Sequence, residues 1–427
     1  MAKFTVRQWR TLAVLYAANT FVFVAIGLLP PFFPTLATAK GASATQFGIV
    51  FGMFRLTMGL IAPVYGRYMD YLGPKLLLCS GVFATSGACM LMGVIEYVDG
   101  ALNFIGLSSA IQVVAALGTA ALTNVNLVLV NKEFPDNSAS VFATVETTSG
   151  LGNFIGPLLG GILIENGGYM LPFIVVGCVI FLVSVMSVFV LPEPKGYETT
   201  NCETSCIESD DDRSQITVWE LLKNLAFSLY LYIDIATCFA YGFFLVTLEF
   251  HLRPLHMSPV QVSLIFALNS AVYCISCTGH GWLLDNYLRP TTVACWGACI
   301  MVIGFLLLGP APFIPLTLTM PLVIIGTILF STGNGAQVVA SMTGTTREAL
   351  ANGAPDNVAT YGLVGGVWNF FFCMSFFIGF YMGGVMLDTI GYQLASMVVV
   401  AVVTVGIVTV SGYLCAQKSR QLGYVAI

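Results

Sequence analysis

Twelve runs of about 20 or more mostly apolar residues follow one another along this 427-residue chain. They fall at 11–34, 46–66, 76–98, 103–130, 139–164, 170–191, 226–250, 259–280, 290–309, 315–340, 358–386 and 393–416. A helix of roughly 20 residues crosses the ~30 Å hydrocarbon core of a bilayer. Lipid cannot hydrogen-bond a backbone, so each run reads as a transmembrane helix. The first run is too long for a cleaved leader and is expected to stay in the membrane. Charged residues make up 9% of the chain and hydrophobic ones 57%. That leaves too little charge to cover a water-soluble surface, where about 25% is usual. The expected fold class is an all-α membrane protein with twelve transmembrane helices, and a soluble enzyme is excluded. A net charge of −5 gives no basic footprint for nucleic acid.

Lys and Arg in the loops set the orientation. With the N-terminus cytosolic, thirteen of the 16 basic residues fall on the cytosolic side. Lys40 and Arg253 fall on the far side, and Arg55 lies mid-helix. Both termini are therefore expected in the cytosol. The 12 cysteines are scattered, almost all inside spans, where Cys acts as a small apolar residue. No disulfide, metal site or cofactor is expected.

The chain repeats itself. A six-span half over 1–192 and another over 226–417 flank a polar segment, 193–225, and a tail, 418–427, closes the chain. The segment holds eight acids against three bases and reads as a cytosolic linker. Gly66, Asp70, Gly73 and Lys75 follow the second span; Gly281, Asp285 and Arg289 follow the eighth, with Gly66 and Gly281 215 positions apart. Pro135-Asp136-Asn137 and Pro355-Asp356-Asn357 precede spans five and eleven at an offset of 220. Gly156, Gly160, Gly161, Glu165, Gly168 and Tyr169 recur at an offset of 223 as Gly379, Gly383, Gly384, Asp388, Gly391 and Tyr392. Duplicated halves around a midplane site are a transporter architecture. In the loops, glycine permits a tight turn, and Asp70 is placed to cap a helix or pair with a base. Gly152, Gly156, Gly160 and Gly161 predict close helix approach. Pro157 is expected to bend its helix; the second half has Phe380 there.

Charge inside a membrane costs about 2.5–3.5 kcal/mol on insertion scales, so such residues are functional candidates. Arg55 is mid-span, with two readings open: a structural ion pair within its own half, or a cavity-lining charge. Glu146 and Asp234 lie about two turns into spans five and seven, and Glu249 lies near the far end of span seven. Glu165 and Asp388 read as wetted residues at helix ends. Asn124, Asn126, Asn334 and Gln337 are polar candidates in spans four and ten.

The loop motif and the glycine–proline pattern of span five resemble the major facilitator superfamily, the latter its proton-coupled antiporters. Pro30-Pro31-Phe32-Phe33-Pro34 to Ser43, Val145-Glu146-Thr147 to Gly161, and Gly168-Tyr169-Met170-Leu171-Pro172-Phe173 resemble the vesicular amine transporter family, and within it the polyamine branch. The resemblance implies the fold in which spans four and ten line the cavity, and a transporter that works as a monomer by alternating access, exchanging protons for an organic cation. Its membrane would be that of a vesicle or another acidic organelle. The chain departs from the family pattern at several points. Tyr71 follows the loop Asp where Arg is usual. Gln112 is the nearest polar residue to the superfamily's span-four Arg. Leu245 stands at the span-seven acid position, with Glu249 one turn on, and Asn369 stands at the span-eleven acid position. Glu249 is accordingly the expected proton-coupling acid. Other readings left open are a uniporter or organic-anion transporter of the same fold, and a transport-inactive receptor or scaffold.

Overall fold

The computed structural model describes residues 5–134, 138–191, 218–309, 318–355 and 358–425. Two expectations lie outside these residues: the 193–217 part of the linker expected over 193–225, whose described end is helical at Val218–Lys223 rather than irregular, and the polar pairs Asp136-Asn137 and Asp356-Asn357. The side chain of Asp70 lies outside the description too.

Every regular element described is helical. The first half comprises α1 (Val6–Ala39), α2 (Ala44–Leu72), α3 (Pro74–Val94), α4 (Ala101–Glu133), α5 (Ser138–Gly167) and α6 (Met170–Val190). A six-residue helix, Val218–Lys223, leads into α7 (Leu225–Leu252), α8 (Pro259–Asn286), α9 (Pro290–Leu308) and α10 (Met320–Ala351). The last helical stretch, Val358–Val425, breaks at Gly391 (φ 73°, ψ 169°) into α11 (358–390) and α12 (392–425). A side chain is strained at that positive φ, so glycine makes the corner. Gly168 makes the matching corner between α5 and α6 at φ 75°. Eleven described stretches are long and apolar enough to cross a membrane. The last, Thr360–Thr409, has 50 residues and is two spans once broken at Gly391, which gives the expected twelve.

The helices outrun several apolar runs. The α4 helix continues to Glu133 and α10 to Ala351, because polar residues extend a helix into water as readily as they end it. Starts are capped in repeat: Ser43 with Gln46 on α2, and Ser258 with Gln261 on α8, each form a reciprocal capping box. Each box satisfies two otherwise unpaired groups at a helix start.

The first half packs α1 on α5 and α6, α3 on α4 and α6, and α2 on α4. The second packs α7 on α10, α11 and α12, and α10 on α8 and α9. The halves meet along α2–α11 and α5–α8, with a smaller α1–α7 contact. The repeated glycines make these contacts. A Cβ on Gly156 would lie 2.5 Å from the Val24 carbonyl of α1, and one on Gly379 2.5 Å from the Phe239 carbonyl of α7. One step along, Gly161 faces Val260 and Ser263 of α8, and Gly384 faces Ala44 and Thr45 of α2. The motif thus packs α5 and α11 both within their own half and against the other. In lipid, where burial of apolar surface drives little, such close packing is what holds helices together.

Candidate functional site

The two halves touch at one end and part at the other. The face away from the N-terminus is closed by polar and aromatic contacts across the halves. Asp388, near the end of α11, accepts hydrogen bonds from the backbone N–H of Ala44 (3.0 Å) and Thr45 (2.8 Å), and from Thr45 Oγ1 (2.7 Å). A carboxylate at the start of α2 satisfies unpaired helix donors and opposes the positive end of the helix dipole. Asp388 is therefore a cross-half cap, not a merely wetted residue. Its repeat partner Glu165 has no counterpart bond among the described residues; Pro259, which stands where Ala44 does in the repeat, has no N–H to offer.

On the same face Glu249 accepts from Thr35 Oγ1 of α1 at 2.8 Å. Its two oxygens also take the Arg253 guanidinium, Nε to Oε1 at 3.0 Å and Nη2 to Oε2 at 2.9 Å. Arg253 reaches back to Thr38 Oγ1 (3.2 Å), and its guanidinium lies 3.6 Å from the centre of the Phe250 ring. Phe250 in turn stacks on Phe47 of α2 at 5.3 Å. Glu249 is buried, and its charge is already matched.

Toward the N-terminal face these contacts stop. The α2–α11 seam is tight from Gly48, against Phe380, to Gly59, against Cys373. Beyond it, a Cβ on Gly66, Gly362, Gly365 or Gly366 would meet nothing within 4 Å. The groove opens to the face that carries the N-terminus, and Glu146 of α5 is exposed on that side.

Two polar clusters lie near the middle, one in each half. In the first, Asn19 of α1 donates to the Val145 carbonyl (2.8 Å), Thr148 Oγ1 (3.1 Å) and Ser149 Oγ (2.5 Å) of α5. Asn126 of α4 donates to Asn19 Oδ1 at 3.1 Å. In the second, Asp234 of α7 is fully buried. Ser341 Oγ of α10 stands 3.5 Å and Cys238 Sγ 3.7 Å from its Oδ1; its Oδ2 has no partner among the described residues. Ser341 also takes the Trp368 Nε1–H of α11 at 3.2 Å. No ion pair among the described residues includes Asp234. One turn on, Thr237 donates to Gln337 Oε1 (2.8 Å), and Asn334 is buried with neither amide atom bonded among the described residues.

Arg55 of α2 lies between the halves. Its guanidinium stands 4.6 Å from the Phe376 ring centre and 5.8 Å from that of Phe372, both on α11. No ion pair among the described residues includes it, so it is not half of a structural pair. It lines a cavity of about 90 Å³, with Gln112, Thr85, Thr119 and several phenylalanines of the first half and Leu245 and Phe380 of the second.

The other expected residues are more dispersed. Asn124 donates to its own helix at Ala120 (2.8 Å), and Asn369 is half-buried on α11. In the loops, Gly73 takes φ 76° between α2 and α3, where only glycine fits without strain. Lys75 is half-buried at the start of α3, while Gly66 is exposed. Gly281 and Arg289 flank the second loop, and Asp285 stands 4.0 Å from Arg347 of α10, both largely exposed. Along α5, Gly152 and Gly160 pack against α1, and the Pro157 ring fills the space beside Gly27. The sequence reading missed Asn19, Ser341 and Trp368, which are uncharged and drew no attention singly. The 215-residue offset that pairs the loops also pairs Asn19 with Asp234 and Asn126 with Ser341.

Two six-helix halves, sealed at one face, open at the other and polar at the centre, define the architecture of a membrane transporter. Residues 15–354 match the family model of the Major Facilitator Superfamily, and the chain belongs to that family. It is 30% identical over 385 residues to the MFS-type transporter SLC18B1 of Rattus norvegicus, covering 89% of this chain and 81% of the relative. The human SLC18B1 is 29% identical over 388 residues, covering 90% and 81%. Among solved structures, a bacterial homolog of the human lysosomal transporter Spinster, inward-facing and occupied, superposes with a TM-score of 0.74 at 15% identity, covering 97% and 98% of the two chains. The human organic anion transporter MFSD10 gives a TM-score of 0.61 at 14% identity, covering 94% and 99%. The protein is a multi-pass membrane transporter of a small-molecule substrate, and not an enzyme.

Proposed function

We propose that this transporter is a proton-coupled antiporter of an organic cation, an amine or polyamine, and that the face carrying the N-terminus is cytosolic. The observation that carries the reading is Asp234: a fully buried carboxylate in a membrane helix, with one oxygen unpartnered and no ion pair among the described residues. An uncompensated charge there costs several kcal/mol, so the group takes up either a proton or a cationic ligand. Exchange of one for the other on a single carboxylate is antiport. Its neighbour Ser341 sits on α10 and in turn holds Trp368 of α11, so a change of charge at Asp234 is felt where the second half meets the first.

Glu249, the acid favoured by its position in the sequence, takes a different part. Arg253 and Thr35 already satisfy it, and it sits in the closed face rather than the centre. Its role in this scheme is to latch α1 to α7 while that face is shut. The charge bias of the loops supports the cytosolic assignment, and the likeness of the quoted motifs to vesicular amine transporters supports the substrate class and an acidic-organelle membrane.

The test is substrate-dependent proton flux in proteoliposomes. An amine added to acid-loaded vesicles should drive protons out, and an organic anion should not. A second reading, uniport or anion transport, draws on Arg55, a cation without an acid partner; anion uptake with no proton flux would establish it instead. Neither flux nor uptake would leave a receptor or scaffold.

A further inference from the structure

We propose that the amine exchanged here also carries a carboxylate, held by Arg55 and Gln112 at the cavity they line while its ammonium goes to Asp234. This rests on the proton–amine reading above and narrows its substrate to zwitterions whose two charges are far apart.

Arg55 is the starting point. Stacking on Phe376 and Phe372 lowers the cost of a guanidinium in the membrane but does not neutralise it, and no described acid pairs with it. The site therefore lacks an anion, and it would repel either end of a simple polyamine. A second observation points to the same ligand. Gln112 of α4 lines the same cavity as Arg55; it is only 8% exposed. No hydrogen bond joins its amide to any described residue. Two donor groups, one a planar fork and one an amide, thus line a cavity whose lining holds no carboxylate and whose hydroxyls, Thr85 and Thr119, already donate to their own helix. A carboxylate has the shape and charge to take both. The remaining lining, with Phe51, Phe54 and Phe173, suits the methylene or aromatic part of a ligand.

The opposite charge lies along α7. Asp234, Cys238 and Tyr241 share one face of that helix at spacings of four and three. The Tyr241 ring packs edge-on against Phe376 at 5.6 Å, the ring that also carries Arg55. Over those seven residues α7 rises about 10 Å. A ligand that spans the two sites carries its charges apart, as an ω-amino acid does, rather than side by side as in an α-amino acid.

The experiment compares 6-aminohexanoate with 1,6-diaminohexane, equal in carbon count and differing in one end group. Affinities are read from the thermal stabilisation of the purified full-length protein. The wild type should bind 6-aminohexanoate more tightly. Arg55→Gln should weaken that affinity by at least about tenfold and strengthen binding of the diamine, reversing the order. Gln112→Leu, which leaves Arg55 in place, should weaken the ω-amino acid alone and serves if Arg55→Gln fails to fold. Equal affinities in the wild type, stabilisation by neither compound, or variants that weaken both compounds alike would overturn the proposal. The underlying reading fails separately, by an absence of amine-driven proton flux.

Discussion

Asn19 and Asp234 stand 215 positions apart, on α1 and α7, and their neighbours Asn126 and Ser341 stand 215 apart on α4 and α10. The repeat places the same local geometry in both halves, with different chemistry. Around Asn19, three acceptors on α5 and a donor on α4 use up the amide. Around Asp234, one long contact from α10 and one from a thiol leave a carboxylate oxygen alone. Buried polar groups in proteins are nearly always paired, so an orphan calls for an explanation. The first half has used this position to tie α1, α4 and α5 together. The second has kept it unfinished, and an unfinished acid is what a proton or an ammonium completes.

The comparison can be broken most forcefully from the first half. Asn19→Asp puts a carboxylate against the Val145 carbonyl and removes the donors that Thr148 and Ser149 accept from. A buried charge with no cation paired to it should cost several kcal/mol, more than the Asn126 amide can offset, seen as a collapse of folded protein in detergent. If that variant is as stable as the wild type, the two positions do not differ in the way described. Next comes Gly156→Leu. The α1 backbone lies against that glycine, so added bulk should cost about 1–3 kcal/mol, with transport lost while membrane insertion remains. Gly379→Leu should do the same through α7, and a gap between the two effects would show which half tolerates repacking.

A smaller effect is expected from Asp388→Asn, which weakens the cross-half cap on α2. A lost cap is worth about 1 kcal/mol, or roughly a fivefold shift in population toward opening of the sealed face. Labelling of a cysteine placed at Phe47 from that side should rise accordingly; Glu165→Gln, with no matching bond, should leave it unchanged. Ser341→Ala removes both the 3.5 Å contact to Asp234 and the 3.2 Å acceptor of the Trp368 Nε1–H, so about 1 kcal/mol is at stake, measured as a fall in melting temperature.

How much of this was legible in the sequence depends on the kind of signal. Span number, the repeat and the glycine contacts follow from apolar length and fixed spacing, which are local. The corners at Gly168 and Gly391, for the same reason, could be read as a repeated Gly-Tyr pair. Charges were legible as candidates but not in their roles, because a role depends on what stands opposite across the chain. Glu249 and Asp234 look alike in sequence, both acids in span seven, and only packing shows that Arg253 and Thr35 satisfy the first. Arg55 likewise left two readings open until its neighbours proved to be aromatic rings. Asp388 looked like a wetted end because its partners, the first residues of α2, lie more than 340 positions away.

The central claim is that Asp234 carries the exchanged proton. Asp234→Asn is the direct test, since asparagine is the residue the first half already holds at the equivalent position and should fold there. In proteoliposomes with an imposed pH gradient, the wild type should release protons when an amine is added, and Asp234→Asn, with an unchanged melting temperature, should release none above background. Amine-driven proton flux at the wild-type rate in that variant would contradict the account and return the search to Glu249 and Glu146.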